Sequence, residues 1–224
     1  MKTNQEYKNA ALASLKGNWG QPVLATLLMV VLMIALIAMC VIAEFAWNPD
    51  PVGDEMSIWT IMLLYGVIYL LYYPLGMVGY YNAVKSLYRN GDGRVVSNMF
   101  SNAFNGYPKV VGFSLLYYIF VFLWSLLLFI PGIIKSFAYM MSPFILKDNP
   151  ELSANQAINL SQKMMKGHKF DCFFLLLSFI GWIILCIFTF GIGALWLNPY
   201  MTATLAAFYE DVKAEYEAKQ QIAA

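Results

Sequence analysis

Residues 22–43 read PVLATLLMVVLMIALIAMCVIA, twenty-two positions without a single charge. At 1.5 Å of rise per residue, about 20 residues of helix cross a ~30 Å hydrocarbon core, so this run suffices for a membrane helix. It is longer than the ~7–15 apolar residues of a cleaved leader and is expected to persist as a membrane anchor. Working outward, apolar runs recur at 58–81, 110–130, 132–146, 172–190 and 192–208. The chain of 224 residues is 60% hydrophobic and 12% charged. A soluble domain is roughly 45–50% apolar with about twice that density of charge, so composition excludes an ordinary soluble globule. The net charge of +1 gives no basic surface for nucleic acid. Cys40, Cys172 and Cys186 sit in apolar runs without CxxC spacing, which argues against a disulfide framework or a zinc site.

The few charges orient the runs. With six crossings and the N-terminus inside, thirteen of the fourteen basic residues fall in inner segments and none in outer loops. The one sizeable outer loop, 44–57, holds Glu44, Asp50, Asp54 and Glu55. This is the distribution of the positive-inside rule. Run 132–146 is short, about 22 Å if straight. Leaving it out would put either the lysines between 147 and 169 or those at the N-terminus outside. The expectation is an all-α polytopic protein, one integral membrane domain over 1–224, with both termini cytoplasmic. Trp19 is expected at the inner interface and Trp47, Trp59 and Trp196 near the outer one, with Trp124 and Trp182 packed deeper between helices.

Punctuation divides the chain into three similar units. Thr3-Asn4-Gln5-Glu6 and Ser153-Ala154-Asn155-Gln156 are capping boxes, each opening a short helix that stops at Lys16-Gly17 and Lys166-Gly167. Between them Ser97 opens a shorter helix closing at Asn105-Gly106. Amphipathic helices at 3–16, 97–105 and 153–166 thus precede three transmembrane hairpins, turned at the 44–57 loop, at Pro131-Gly132 and at Gly191-Ile192-Gly193. The faces Tyr7, Ala11, Leu15 and Ala157, Leu160, Met164 suit a helix lying among anionic headgroups, or one that fixes the entry of the next crossing. Pro74, Pro143 and Pro199 predict kinks in the returning helices, tolerable where other groups satisfy the freed carbonyls.

Candidate functional residues are few. Lys135 is the one basic residue embedded in an apolar run, three or four residues past Pro131-Gly132. Its stem reaches the outer surface, so it either snorkels, with Glu44 as a partner at similar depth, or contacts a substrate or ion. Tyr65, Tyr69 and Tyr72 share a helical face continued by Gly76, suited either to helix packing or to ligand contact. Asn198, before Pro199, is placed to help satisfy a kink. His168 is the sole histidine, which excludes a His-cluster metal site within the chain. No P-loop, GxSxG or HExxH motif occurs, so neither catalysis nor a cofactor is expected.

Specific motifs add a resemblance. Lys16-Gly17-Asn18-Trp19-Gly20, Ile130-Pro131-Gly132-Ile133-Ile134-Lys135 with Ser142-Pro143, the block from Asn149-Pro150-Glu151 to Gly167-His168-Lys169, and Leu177 through Trp182 resemble a family of bacterial integral membrane proteins known as domain of unknown function 975. The likeness covers nearly the whole chain, and implies a protein of the bacterial cytoplasmic membrane without supplying an activity or a ligand. The reading is a non-enzymatic structural, accessory or lipid- or small-molecule-handling protein. Alternatives are a transporter component and a lipid-headgroup enzyme. The partners expected are anionic membrane lipids and either a second copy or another membrane protein.

Overall fold

The computed structural model describes residues 1–47, 58–127 and 129–223. The segment expected to form an outer loop, with Asp50, Asp54 and Glu55, and the side chains of Trp47 and Trp59 lie outside the described residues. Among those residues the chain is all-α with no strand. The order is α1 (Asn4–Leu15), α2 (Gly20–Trp47), α3 (Ile58–Val67), α4 (Tyr81–Asn90), α5 (Val95–Phe104), α6 (Tyr107–Leu127), α7 (Phe129–Tyr139), α8 (Ser142–Asp148), α9 (Ala154–Met164), α10 (Lys169–Leu177), α11 (Ile180–Phe188) and α12 (Ala194–Ala223). π-helical turns at Ile68–Tyr72 and Pro74–Tyr80 join α3 to α4.

Four stretches are long and apolar enough to cross a membrane: Gly20–Ala46, Met62–Asn90, Tyr107–Leu126 and Lys169–Phe188. They correspond to the expected runs 22–43, 58–81, 110–130 and 172–190. Lys169–Phe188 is interrupted at Ser178 and Phe179 between α10 and α11, and the other two runs do not form such apolar spans. Run 132–146 breaks at Met140 and Met141 between α7 and α8. Run 192–208 opens α12, a 30-residue helix whose second half is charged.

Pro131-Gly132 is not the hairpin turn. Pro131 lies in the first turn of α7, where its missing N–H has no carbonyl to serve. Gly132 is needed for close packing, because a Cβ there would sit 2.9 Å from the Cα of Ser125 on α6. The turn at Gly191 is formed as expected, with Gly191 at φ +84°.

Proline acts on each returning helix in a different way. Pro74 cannot donate to the Leu70 carbonyl, and the Tyr107 phenol donates there instead. Pro143 cannot donate to Tyr139, whose carbonyl receives the Ser142 hydroxyl. The adjacent Ala138 carbonyl accepts from Ser161 Oγ at 2.8 Å. Pro199 lies inside α12. Asn198 beside it is exposed and has no side-chain hydrogen-bond partner among the described residues.

Both capping boxes are formed, by Thr3 with Glu6 and by Ser153 with Gln156. Gly17, Gly106 and Gly167 end their helices with φ of +82°, +77° and +98°. Ser97 does not open its helix. α5 starts at Val95, its approach held by Asp92, which accepts from Arg94 N at 3.1 Å and from Asn98 Nδ2 at 2.9 Å.

The faces expected to be apolar on the first and third short helices pack against other helices, whereas Phe100 and Phe104 of α5 are 42% and 46% exposed. Tyr7, Ala11 and Leu15 of α1 are fully buried on α12 and α4. Ala157, Ile158, Ser161 and Met164 of α9 are buried against α6, α7 and α8. On α5, Val95, Met99 and Ala103 pack so closely that a Cβ at Gly79 would lie 2.5 Å from the Met99 carbonyl. The polar ends of the long helices and these short ones therefore form a conventional packed core. Elsewhere the apolar helices are exposed: α11 has no buried residue, and Ile42, Leu126 and Phe188 are 67%, 67% and 77% exposed.

Candidate functional site

Two pairs of side chains, each spaced one helical turn apart, converge on Asp148 at the end of α8. Lys85 and Arg89 share a face of α4, and Tyr209 and Lys213 share a face of α12. Lys85 pairs with Asp148 Oδ1, and Arg89 Nη2, Lys213 Nζ and the Tyr209 hydroxyl reach Oδ2 at 2.9, 3.0 and 2.8 Å. Glu210 takes the other side of the Arg89 guanidinium, at 3.0 Å from Nε and 2.6 Å from Nη2. The Lys85 ammonium also donates to the Phe144 carbonyl at 3.3 Å and lies 5.5 Å from the centre of the Tyr209 ring.

Burial alone would push the Asp148 carboxyl up, but the adjacent Lys85, Arg89 and Lys213 outweigh it and hold the group below the usual carboxylate range. Burial and the facing Asp148 charge raise the Tyr209 phenol far above its ordinary value. A carboxylate in that state, with both oxygens occupied by donors, is a poor general base and a strong clasp. Tyr7 donates to Asp211 Oδ2 at 2.5 Å, and His168 lies 3.3 Å from Glu215. The charged half of α12 thereby ties α1, α4, α8 and the start of α10 into one layer.

Beside this layer lies a cavity of about 280 Å³, where the π-wound helix meets α6 and the break between α7 and α8. Tyr72, Tyr73, Tyr81, Tyr117 and Tyr118 wall it, with Met140 and Pro143 at the break. The rings brace one another: Tyr73 and Tyr118 are 4.6 Å apart, and Tyr69 packs on both at 5.9 and 6.4 Å. Among the described residues neither the buried Tyr69 hydroxyl nor the buried Asn82 Oδ1 has a hydrogen-bond partner. The Asn82 amide nitrogen donates to the Val78 and Pro143 carbonyls, both at 2.9 Å, and joins the two walls. A π-helical turn displaces side chains from the α-helical register and is often found at functional sites. Here two such turns, Ile68–Tyr72 and Pro74–Tyr80, form one wall of the cavity. Phenol rings and thioethers at this volume can hold an apolar or aromatic small molecule and offer it hydroxyl groups.

The sequence comparison covers these elements. A family model described as "Protein of unknown function (DUF975)" matches residues 55–216. The chain belongs to this family. No curated protein and no solved structure matches it. The DUF975 match contains Lys85, Arg89, Asp148, Tyr209, Lys213 and every wall of the tyrosine cavity.

In this DUF975 chain the residues singled out from sequence are scattered. Lys135 does not pair with Glu44. Its ammonium donates to Gln162 Oε1 of α9 at 3.1 Å and lies 4.3 Å from the centre of the Trp124 ring and 5.9 Å from that of Tyr139. Glu44 is buried near the end of α2. Tyr65 is 70% exposed, outside the cavity, whereas Tyr69 supports its rings and Tyr72 lines it. Among the described residues no group of three or more His, Cys, Asp or Glu side chains could hold a metal ion. In the sequence alone Asp148 has no visible role, and Lys85, Arg89 and Lys213 stand out only as basic residues of the expected inner segments. The available signal was the Lys85–Arg89 spacing on a helix whose neighbours Ala83, Val84 and Leu87 are apolar.

Proposed function

We propose that this protein is a non-enzymatic, six-crossing protein of the bacterial cytoplasmic membrane that binds a small molecule in its tyrosine-walled cavity, with both termini cytoplasmic. The topological part is supported by the ion pairs. Charges that touch lie on one side of a membrane. With those four apolar stretches as the only crossings, Arg89 and Asp148 would be separated by one crossing, and His168 and Glu215 by another. Additional crossings through α7–α8 and through the apolar start of α12 bring each pair to one face, together with Lys2 and Asp211, 3.5 Å apart. A reporter fused after Asp148 is expected to be cytoplasmic, and an external location would overturn the six-crossing reading.

The ligand-binding part is carried by the cavity at a helix break. Native mass spectrometry of the gently extracted protein is expected to show a retained small molecule that is lost when Met140→Trp fills the cavity. No retained mass, or retention unchanged in that variant, would remove the reading. The broken helix α7–α8 also favours a second reading, a transporter component, because discontinuous helices flank substrate sites in many transporters. Transport predicts that cysteines placed at Tyr72, Gly76 and Tyr118 react with aqueous reagents, whereas a closed binding protein protects them.

A further inference from the structure

A second concavity lies between α1, the start of α2, α11 and α12, and its chemistry differs from that of the tyrosine cavity. It measures about 370 Å³ and is almost wholly apolar, walled by Leu12, Trp19, Trp182, Leu185, Trp196 and Leu197. One wall is α11, whose Ile183, Ile184 and Ile187 are exposed, and on the membrane-spanning reading that helix lies among the acyl chains of the bilayer. Among the described residues no Asp or Glu lines the groove. Leu12 is preceded one turn earlier on α1 by Lys8 and followed, just past the end of that helix, by Lys16. Lys8 is engaged: its ammonium donates to the Ser178 carbonyl at 2.9 Å, at the break between α10 and α11, and lies 4.4 Å from the centre of the Phe179 ring. Lys16 is exposed and has no side-chain partner among the described residues. An apolar slot with an uncommitted cation beside it is complementary to an amphiphile whose head is negative.

We propose that this groove holds one acyl chain of an anionic phospholipid, with the headgroup against the Lys16 ammonium. The inference rests on the membrane-spanning part of the proposed function and is independent of the tyrosine cavity. The full chain is reconstituted in zwitterionic vesicles containing rising fractions of a phospholipid brominated on its acyl chains, either anionic or zwitterionic. Bromine quenches the tryptophans that wall the groove. The anionic lipid is expected to reach half-quenching at a mole fraction about five-fold lower, the preference one lysine gives near a charged headgroup. Lys16→Gln should abolish that preference. Cys186→Leu, which narrows the groove, should remove the low-fraction phase. Equal quenching by the two lipids, or a preference that survives Lys16→Gln, would overturn the proposal and leave only ordinary boundary lipid. Quenching by neither lipid would overturn the membrane-spanning reading as well. Loss of a retained ligand in Met140→Trp reports on the tyrosine cavity alone.

Discussion

Lys85 and Asp148, 63 residues apart in sequence, form an ion pair in which the two side chains are only 5% and 8% exposed. Desolvating both charges is costly, and the pair persists because Arg89, Lys213, Tyr209 and the Phe144 carbonyl complete the hydrogen bonding around it. Removing one partner leaves the other buried and uncompensated. Asp148→Leu is expected to destabilise the protein by about 3–5 kcal/mol. The double variant Lys85→Met/Asp148→Leu should recover part of that loss in denaturant unfolding in detergent. Additive losses would show that the two do not act as a pair.

The same carboxylate sets an acid limit. Its folded pKa lies below the unfolded value of about 3.9, so its contribution is fully present above that pH and is lost as pH falls through the lower folded value. Tyr7 and Lys2 outweigh burial to hold Asp211 low as well. Stability measured from pH 7 downward should therefore start to fall only near pH 4. Asp148→Asn should flatten that fall, and an unaltered profile would count against the carboxylate as its source.

Lys135 stabilises its surroundings through Trp124 and Gln162. A double-mutant cycle between Lys135→Met and Trp124→Leu should give a coupling of about 0.5–2 kcal/mol. The corresponding cycle with Glu44→Gln should give none. A large Glu44 coupling would require another arrangement of α2 and α7.

Gly79 marks the closest approach of α5 to the helix that joins α3 and α4. Gly79→Ala forces its methyl toward the Met99 carbonyl and is expected to cost about 1–3 kcal/mol. Gly112 has open space around it, and Gly112→Ala should cause no such loss. Equal thermal shifts for the two variants would contradict this packing.

Tyr107→Phe removes the donor that the Leu70 carbonyl receives in place of the Pro74 amide. A loss of about 0.5–1.5 kcal/mol is expected, the net worth of one hydrogen bond. Adding Pro74→Ala restores a backbone donor to the helix and should reduce the effect of Tyr107→Phe, and unchanged sensitivity would argue against that exchange.

Local patterns determined much of this protein. Apolar length marked the four stretches able to cross a membrane, because a helix must satisfy its own backbone wherever water is absent. Side-chain and glycine chemistry within a few residues marked the capping boxes at Thr3 and Ser153 and the stops at Gly17, Gly106 and Gly167. The tertiary structure decided what depends on neighbours distant in sequence. It assigned Gly132 to close packing, because only the approach of Ser125 reveals the need for a missing Cβ. It turned the faces of α1 and α9 toward protein, since periodicity reports that a face is apolar and not what covers it. It gave Lys135 the ring of Trp124 in place of Glu44, and it made Asp148 the hub of three cations drawn from two helices. A buried charge is tolerated only where its partners meet it, and that meeting is set by how α4, α8 and α12 pack.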